Sequence, residues 1–101
     1  MNMHTHPVAV ALVCAACASA AAGATEYGDR ALAAGCASCH QPALQAPPPL
    51  GGQPFGELVS KMREFRNGTR SGTVMPQLAK GYTEAQTETI ARYFSTQPAP
   101  R

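Results

Sequence analysis

The chain has 101 residues, a net charge of +2 and 14% charged side chains. That is enough for one small domain, and the charge is too mild to argue for nucleic-acid binding. Trp is absent and only 6% of residues are aromatic, so a core this small calls for a staple or a cofactor.

Residues 1–24 read apart from the fold. Val8 to Ala22 is an uncharged run of Val, Leu, Ala, Cys and Ser, and Ala18-Ser19-Ala20 and Ala22-Gly23-Ala24 supply small-residue cleavage sites. This is the layout of a secretory signal peptide, with His4 and His6 where Lys or Arg is usual. An uncleaved anchor helix competes, but the apolar run is short for a span of about 20 residues. Lipoprotein processing at Cys17 also competes, with Cys14 in the position that should be Leu. The cleaved-signal reading makes 25–101 the mature domain, sends it to the periplasm and leaves it no membrane span.

Residues 26–35 read as a short helix, with Ala31, Leu32, Ala33 and Ala34 as good helix formers. Gly28, Leu32 and Cys36 fall four apart on one face, where a glycine leaves room for a second helix.

The four cysteines form two pairs, Cys14-Ala-Ala-Cys17 and Cys36-Ala-Ser-Cys39. Their spacing fits a zinc template. The first pair, however, lies inside the export segment, which leaves a zinc ion two thiolates and too few partners. Only the second pair is followed at once by a histidine, His40. The string C-x-x-C-H signals attachment of a c-type haem. Two thiols add to the two porphyrin vinyl groups, and two intervening residues let both sulfurs reach them from one turn of chain. The next residue then lies under the iron, where an imidazole nitrogen can ligate it. A redox dithiol normally opens a helix in a βαβ setting, and no strand pattern precedes this one. A structural disulfide is the remaining bland alternative.

Residues 41–53 hold four prolines and two glycines and read as an ordered loop. Residues 54–66 form the clearest amphipathic helix: Phe55, Leu58, Val59, Met62 and Phe65 follow the i, i+3, i+4, i+7 pattern. Pro54 suits its first turn and Asn67-Gly68 its C-terminal cap. Residues 68–81 read again as a loop, carrying Met75-Pro76 and Lys80-Gly81. Thr83 with Gln86 makes a capping box for a last helix over 84–96, with Ile90, Tyr93 and Phe94 on one side and Pro98 ending it. The fold class is all-α: three to four short helices and long loops. Loops of this length are unusual unless something packs inside them, and a flat apolar haem fills that role.

Cys36-Ala-Ser-Cys39-His40, Pro48-Pro49-Leu50-Gly51-Gly52, Met75-Pro76 and an aromatic C-terminal helix together resemble a class I cytochrome c over nearly all of 26–97. The resemblance implies one covalent haem on Cys36 and Cys39. It makes His40 the proximal and Met75 the distal iron ligand, and gives Pro48 the carbonyl that orients the ligand imidazole. It also implies a packed crossing of Gly28 with Tyr93. Phe65-Arg66-Asn67-Gly68-Thr69-Arg70, Thr73-Val74-Met75 and Ala79-Lys80-Gly81-Tyr82-Thr83 resemble the cytochrome subunit of flavocytochrome c sulfide dehydrogenase and related small periplasmic cytochromes. Most members of that subunit group carry two such domains, and this chain has one.

Met62 competes with Met75 for the distal position, but it lies on the apolar face of the middle helix, where a core role is sufficient. Tyr82, Phe55, Phe65 and Phe94 read as walls of the haem pocket. Lys61, Arg63, Arg66, Arg70 and Lys80 make mid-chain basic. The plain reading is a solvated surface. The functional one is a docking rim around a haem edge, with Arg66 or Arg70 paired to a propionate.

With both axial sites filled there is nowhere for a substrate to bind iron. The leading expectation is therefore a periplasmic electron carrier rather than an enzyme, with redox proteins as partners. A second is a subunit of a flavoprotein dehydrogenase that accepts electrons from flavin. A small peroxidase is a third, and needs an open sixth site. A zinc or disulfide structural domain is the last.

Overall fold

The computed structural model describes residues 28–101. The signal-peptide reading and the Cys14–Cys17 pair lie outside the described residues. Helix α1 covers residues 28–37, α2 Phe55–Asn67, α3 Met75–Ala79 and α4 Glu84–Ser95. Among the described residues there is no strand, and no helix is long and apolar enough to cross a membrane. The all-α expectation holds.

Each helix has a local cause. Helix α2 follows Pro54 and stops at Gly68, whose φ of 82° is left-handed and whose N–H reaches Glu64 O. The amides of Thr69 and Arg70 reach the same carbonyl at 3.0 and 3.1 Å, so three donors close the chain back onto the last turn. Helix α4 starts with the anticipated capping box. Gln86 N donates to Thr83 Oγ1 at 3.1 Å, and Thr83 N to Gln86 Oε1 at 2.9 Å. Two orphan amides of the first turn are thereby satisfied.

Helix α3 falls inside 68–81, where the sequence reads as a loop. It is five residues long, with Pro76 in its first turn. Proline is tolerated there because that amide has no helical partner. A single turn shows no periodicity, so only the packing of its buried Ala79 reveals it.

Leu58 and Val59 of α2 meet Ile90, Ala91 and Phe94 of α4 and Ala33 of α1 in one apolar core, with Leu32, Cys36, Leu50, Tyr82 and Tyr93 packed partly around it. The expected Gly28–Tyr93 crossing is corrected here: a Cβ at Gly28 would meet nothing within 4 Å. The small residues at the centre are Ala33 and Ala91, at 1% and 2% exposure. Close approach thus falls about one and a half turns further along α1.

The loop before α2 is tied to the end of α4. Gly52 N donates to Phe94 O at 3.0 Å, and the chain beyond α4 lies against the two glycines. A Cβ at Gly51 would stand 2.5 Å from Pro98 O, and one at Gly52 2.8 Å from Ala99 Cβ. Gly52 also has φ +77°, a conformation that a side chain would strain.

Candidate functional site

Helix α1 delivers Cys36 one residue before its last, and the chain then folds back over that residue. Cys39 N and His40 N both donate to Cys36 O, at 3.2 and 2.9 Å. Ser38 Oγ donates to Gly35 O at 2.7 Å and Gln41 Nε2 to Ser38 O at 3.1 Å. These bonds hold two free thiols and an imidazole on one tight turn. Cys36 is half-buried and Cys39 exposed. Burial pushes the Cys36 thiol above its ordinary value of 9.0, so it stays protonated.

His40 Nδ1 lies 2.6 Å from Pro48 O. A carbonyl can only accept, so Nδ1 carries a proton, and in the neutral ring Nε2 then carries the lone pair. This is the arrangement of a metal-binding imidazole whose far nitrogen is oriented by a backbone carbonyl. Zinc has no comparable set: among the described residues no three of His, Cys, Asp and Glu come together to hold a metal ion.

The segments that carry His40 and Met75 also carry uncovered aliphatic side chains, which suit contact with a flat apolar body. Val74 and Leu78, flanking Met75 and Pro76, are 58% and 49% exposed, and Leu44 in the loop after His40 is 42% exposed. The helical core is small, with six buried residues of which two are alanine. Two thiols, one free imidazole nitrogen and uncovered aliphatic side chains form a donor and contact set that fits an iron porphyrin.

Met75 is the first residue of α3 and is half-buried. Met62 is half-buried on α2. Of the four aromatics expected as pocket walls, Phe94 is in the helical core. Tyr82 packs partly against that core. Arg92 lies over the Phe55 ring and Arg70 over the Phe65 ring, each at 5.6 Å.

Four of the five basic mid-chain side chains, all but Lys80, face carboxylates. Lys61 lies 3.6 Å from Glu57, Arg63 pairs with Glu84 and lies 4.0 Å from Glu88, Arg66 pairs with Glu84 at 2.9 Å, and Arg70 with Glu64 at 2.9 Å. Neither candidate propionate partner is therefore an unpaired cation. Arg66 spans three groups, donating to Ala79 O at 3.4 Å, Glu84 Oε2 at 2.9 Å and Thr87 Oγ1 at 2.7 Å. It fastens the end of α3 to the start of α4. The hydrogen bonds of Arg63, then Arg66, hold the Glu84 carboxyl below its ordinary value, and Arg70, then Ser60, do the same for Glu64.

Two curated proteins are similar to part of this sequence. The cytochrome subunit of sulfide dehydrogenase of Chlorobaculum tepidum is 34% identical over 73 residues, 69% of this chain and 66% of that protein. Cytochrome c-552 of Acidithiobacillus ferridurans is 39% identical over 64 residues, 60% of this chain and 28% of that protein. In sequence the chain resembles small c-type cytochromes, and the all-α fold of its described residues is consistent with theirs. No protein-family model matches it, and it spans under two thirds of the length of either relative.

For a cytochrome c-like chain the structure joins Cys36, Cys39, His40 and Pro48 into one unit, through the turn over Cys36 and the His40–Pro48 hydrogen bond. Met75 stands on a separate segment carried by α3. Sequence reading missed Gln53, whose amide reaches Pro49 O at 2.7 Å and Lys61 Nζ at 2.9 Å. A lone glutamine in a proline-rich loop carries no pattern that would have singled it out.

Proposed function

We propose that this chain is a periplasmic electron carrier with one haem bonded to Cys36 and Cys39 and its iron held by His40 and Met75. One observation carries the reading: His40 Nδ1 is committed to Pro48 O at 2.6 Å, which leaves Nε2 as a free, oriented donor. The thiols, with two residues between them, supply the attachment points. When bound, the iron porphyrin supplies a one-electron couple. The chain's part is to fix the histidine, present a thioether from α3 and exclude water with Val74, Leu78 and Leu44. His/Met ligation raises the potential relative to other axial sets, and an apolar surround acts in the same direction. A chain that fills both axial positions has no vacant site for bond chemistry, which favours carriage over catalysis. The 1–24 segment supports export with cleavage near Ala24.

The test is to export the protein through a host that attaches haem and record its absorption. The expected result is a c-type spectrum and haem retained on a denaturing gel, lost when Cys36 and Cys39 are both changed to Ser. A colourless, well-folded product with two free thiols overturns the reading.

A second reading rests on the likeness to the sulfide dehydrogenase cytochrome subunit. Here the same haem accepts electrons from a bound flavoprotein. Purification from the native host separates the two: co-purifying flavoprotein supports the subunit reading, and a free monomer supports the carrier.

A further inference from the structure

The carbonyl that holds His40 belongs to a loop poorly equipped to hold itself. Pro47, Pro48 and Pro49 lack backbone N–H groups, so this stretch cannot be braced by its own amides. Its carbonyls must be fixed by donors from elsewhere. Pro48 O receives His40 Nδ1–H at 2.6 Å. The next carbonyl, Pro49 O, receives Gln53 Nε2–H at 2.7 Å. Gln53 is itself placed from two sides. Its backbone N–H closes a turn onto Leu50 O at 3.2 Å. Its Oε1 accepts from Lys61 Nζ at 2.9 Å, and Lys61 stands on α2 beside Glu57.

The geometry of proline makes this brace effective. The Pro49 ring fixes φ, so one torsion, ψ of Pro49, relates its carbonyl to the Pro48–Pro49 peptide plane. Pinning Pro49 O therefore pins the plane that carries Pro48 O. We infer that Gln53, held by Lys61, is a positioning residue for the axial histidine, keeping Pro48 O on His40 Nδ1. The inference rests on the reading that His40 Nε2 holds iron. A strong Nδ1–H···O bond makes the imidazole a better donor through Nε2, which favours the ferric state. Loosening the bond raises the reduction potential and exposes the ring proton to solvent.

The experiment uses the full, haem-loaded chain as wild type, Gln53→Met and Gln53→Asn. Both replacements are neutral, so a change in potential cannot come from added charge. Asn keeps an amide but is one methylene too short to join Pro49 O with Lys61. The measurements are the reduction potential and the solvent exchange of the His40 Nδ1–H proton by NMR. Both variants are expected to show a raised potential and about tenfold faster exchange, as for the loss of one hydrogen bond. Unchanged potential and exchange overturn the inference. So does a lowered melting temperature with neither readout altered, which makes Gln53 structural only. Should Gln53→Met fail to fold, Gln53→Asn decides by the same two readouts. Wild-type protein that takes up no haem overturns the His40 reading and this inference with it, and is seen before any variant is made.

Discussion

Arg66 Nη2 donates to Thr87 Oγ1 at 2.7 Å, and Thr87, 1% exposed, is the buried polar side chain of the described core. A hydroxyl sealed in that position needs its partner, because a buried polar group left unsatisfied costs far more than a surface one.

Replacing Arg66 by Met therefore has a larger effect than its place in a charged stretch suggests. The expected loss is about 1–3 kcal/mol from the stranded Thr87 hydroxyl, read as a lower urea midpoint at constant slope. Arg66→Lys keeps a charge but cannot reach Ala79 O, Glu84 and Thr87 together, so it falls between the two. An unchanged midpoint for Arg66→Met would show that the three bonds add nothing to stability.

Acid weakens the fold through Glu84 and Glu64. Both carboxyls are held below the ordinary value of 4.5, Glu84 chiefly by Arg63 and Glu64 chiefly by Arg70. The folded chain thus binds these protons less readily than the unfolded chain. Their stabilisation is full above pH 4.5 and is lost as pH falls through the lower folded-state values. Melting temperature should drop on acidification from about pH 5 toward 3, and Glu84→Gln should flatten that drop while lowering stability at neutral pH. A parallel curve for Glu84→Gln would contradict the assignment.

Gly51→Ala should destabilise by about 1–3 kcal/mol, because its new methyl meets the Pro98 carbonyl. That carbonyl belongs to the tail, 2.5 Å from the built Cβ position. Ending the chain at Gln97 removes the clash, so most of the cost disappears in the truncated background. Thermal melts of the four combinations measure the coupling. Equal costs in both backgrounds would place the strain elsewhere.

Met75→Ala should lower the reduction potential markedly, because a thioether ligand raises it relative to other axial sets. Met62→Leu, a volume-conserving change on α2, should leave it unaltered. The reverse pattern would assign the distal position to Met62.

The two longest helices were legible because their signals are local. The i, i+3, i+4, i+7 spacing of Phe55, Leu58, Val59 and Met62 sets the face of α2, and Thr83 with Gln86 fixes where α4 begins. The C-x-x-C-H string was legible because chemistry dictates its spacing, whereas Pro48 was legible only through the family resemblance. What escaped depends on partners distant in sequence. Helix α3 is too short to show a period. The counter-charge on Arg63 and Arg66 comes from Glu84 on another helix, so a stretch that looks basic in sequence is balanced in space. Gly28 follows the small-residue rule, yet Ala33 takes the crossing.

The tail lying across Gly51 and Gly52 turns the C-terminus into a handle on the histidine loop. Any extension leaving Arg101, natural or engineered, pulls on a strap that ends three residues from Pro48. An affinity tag or fused partner at that end is mechanically connected to the imidazole. On the proposed haem reading, constraining it offers a way to tune the iron's imidazole ligand from a distance.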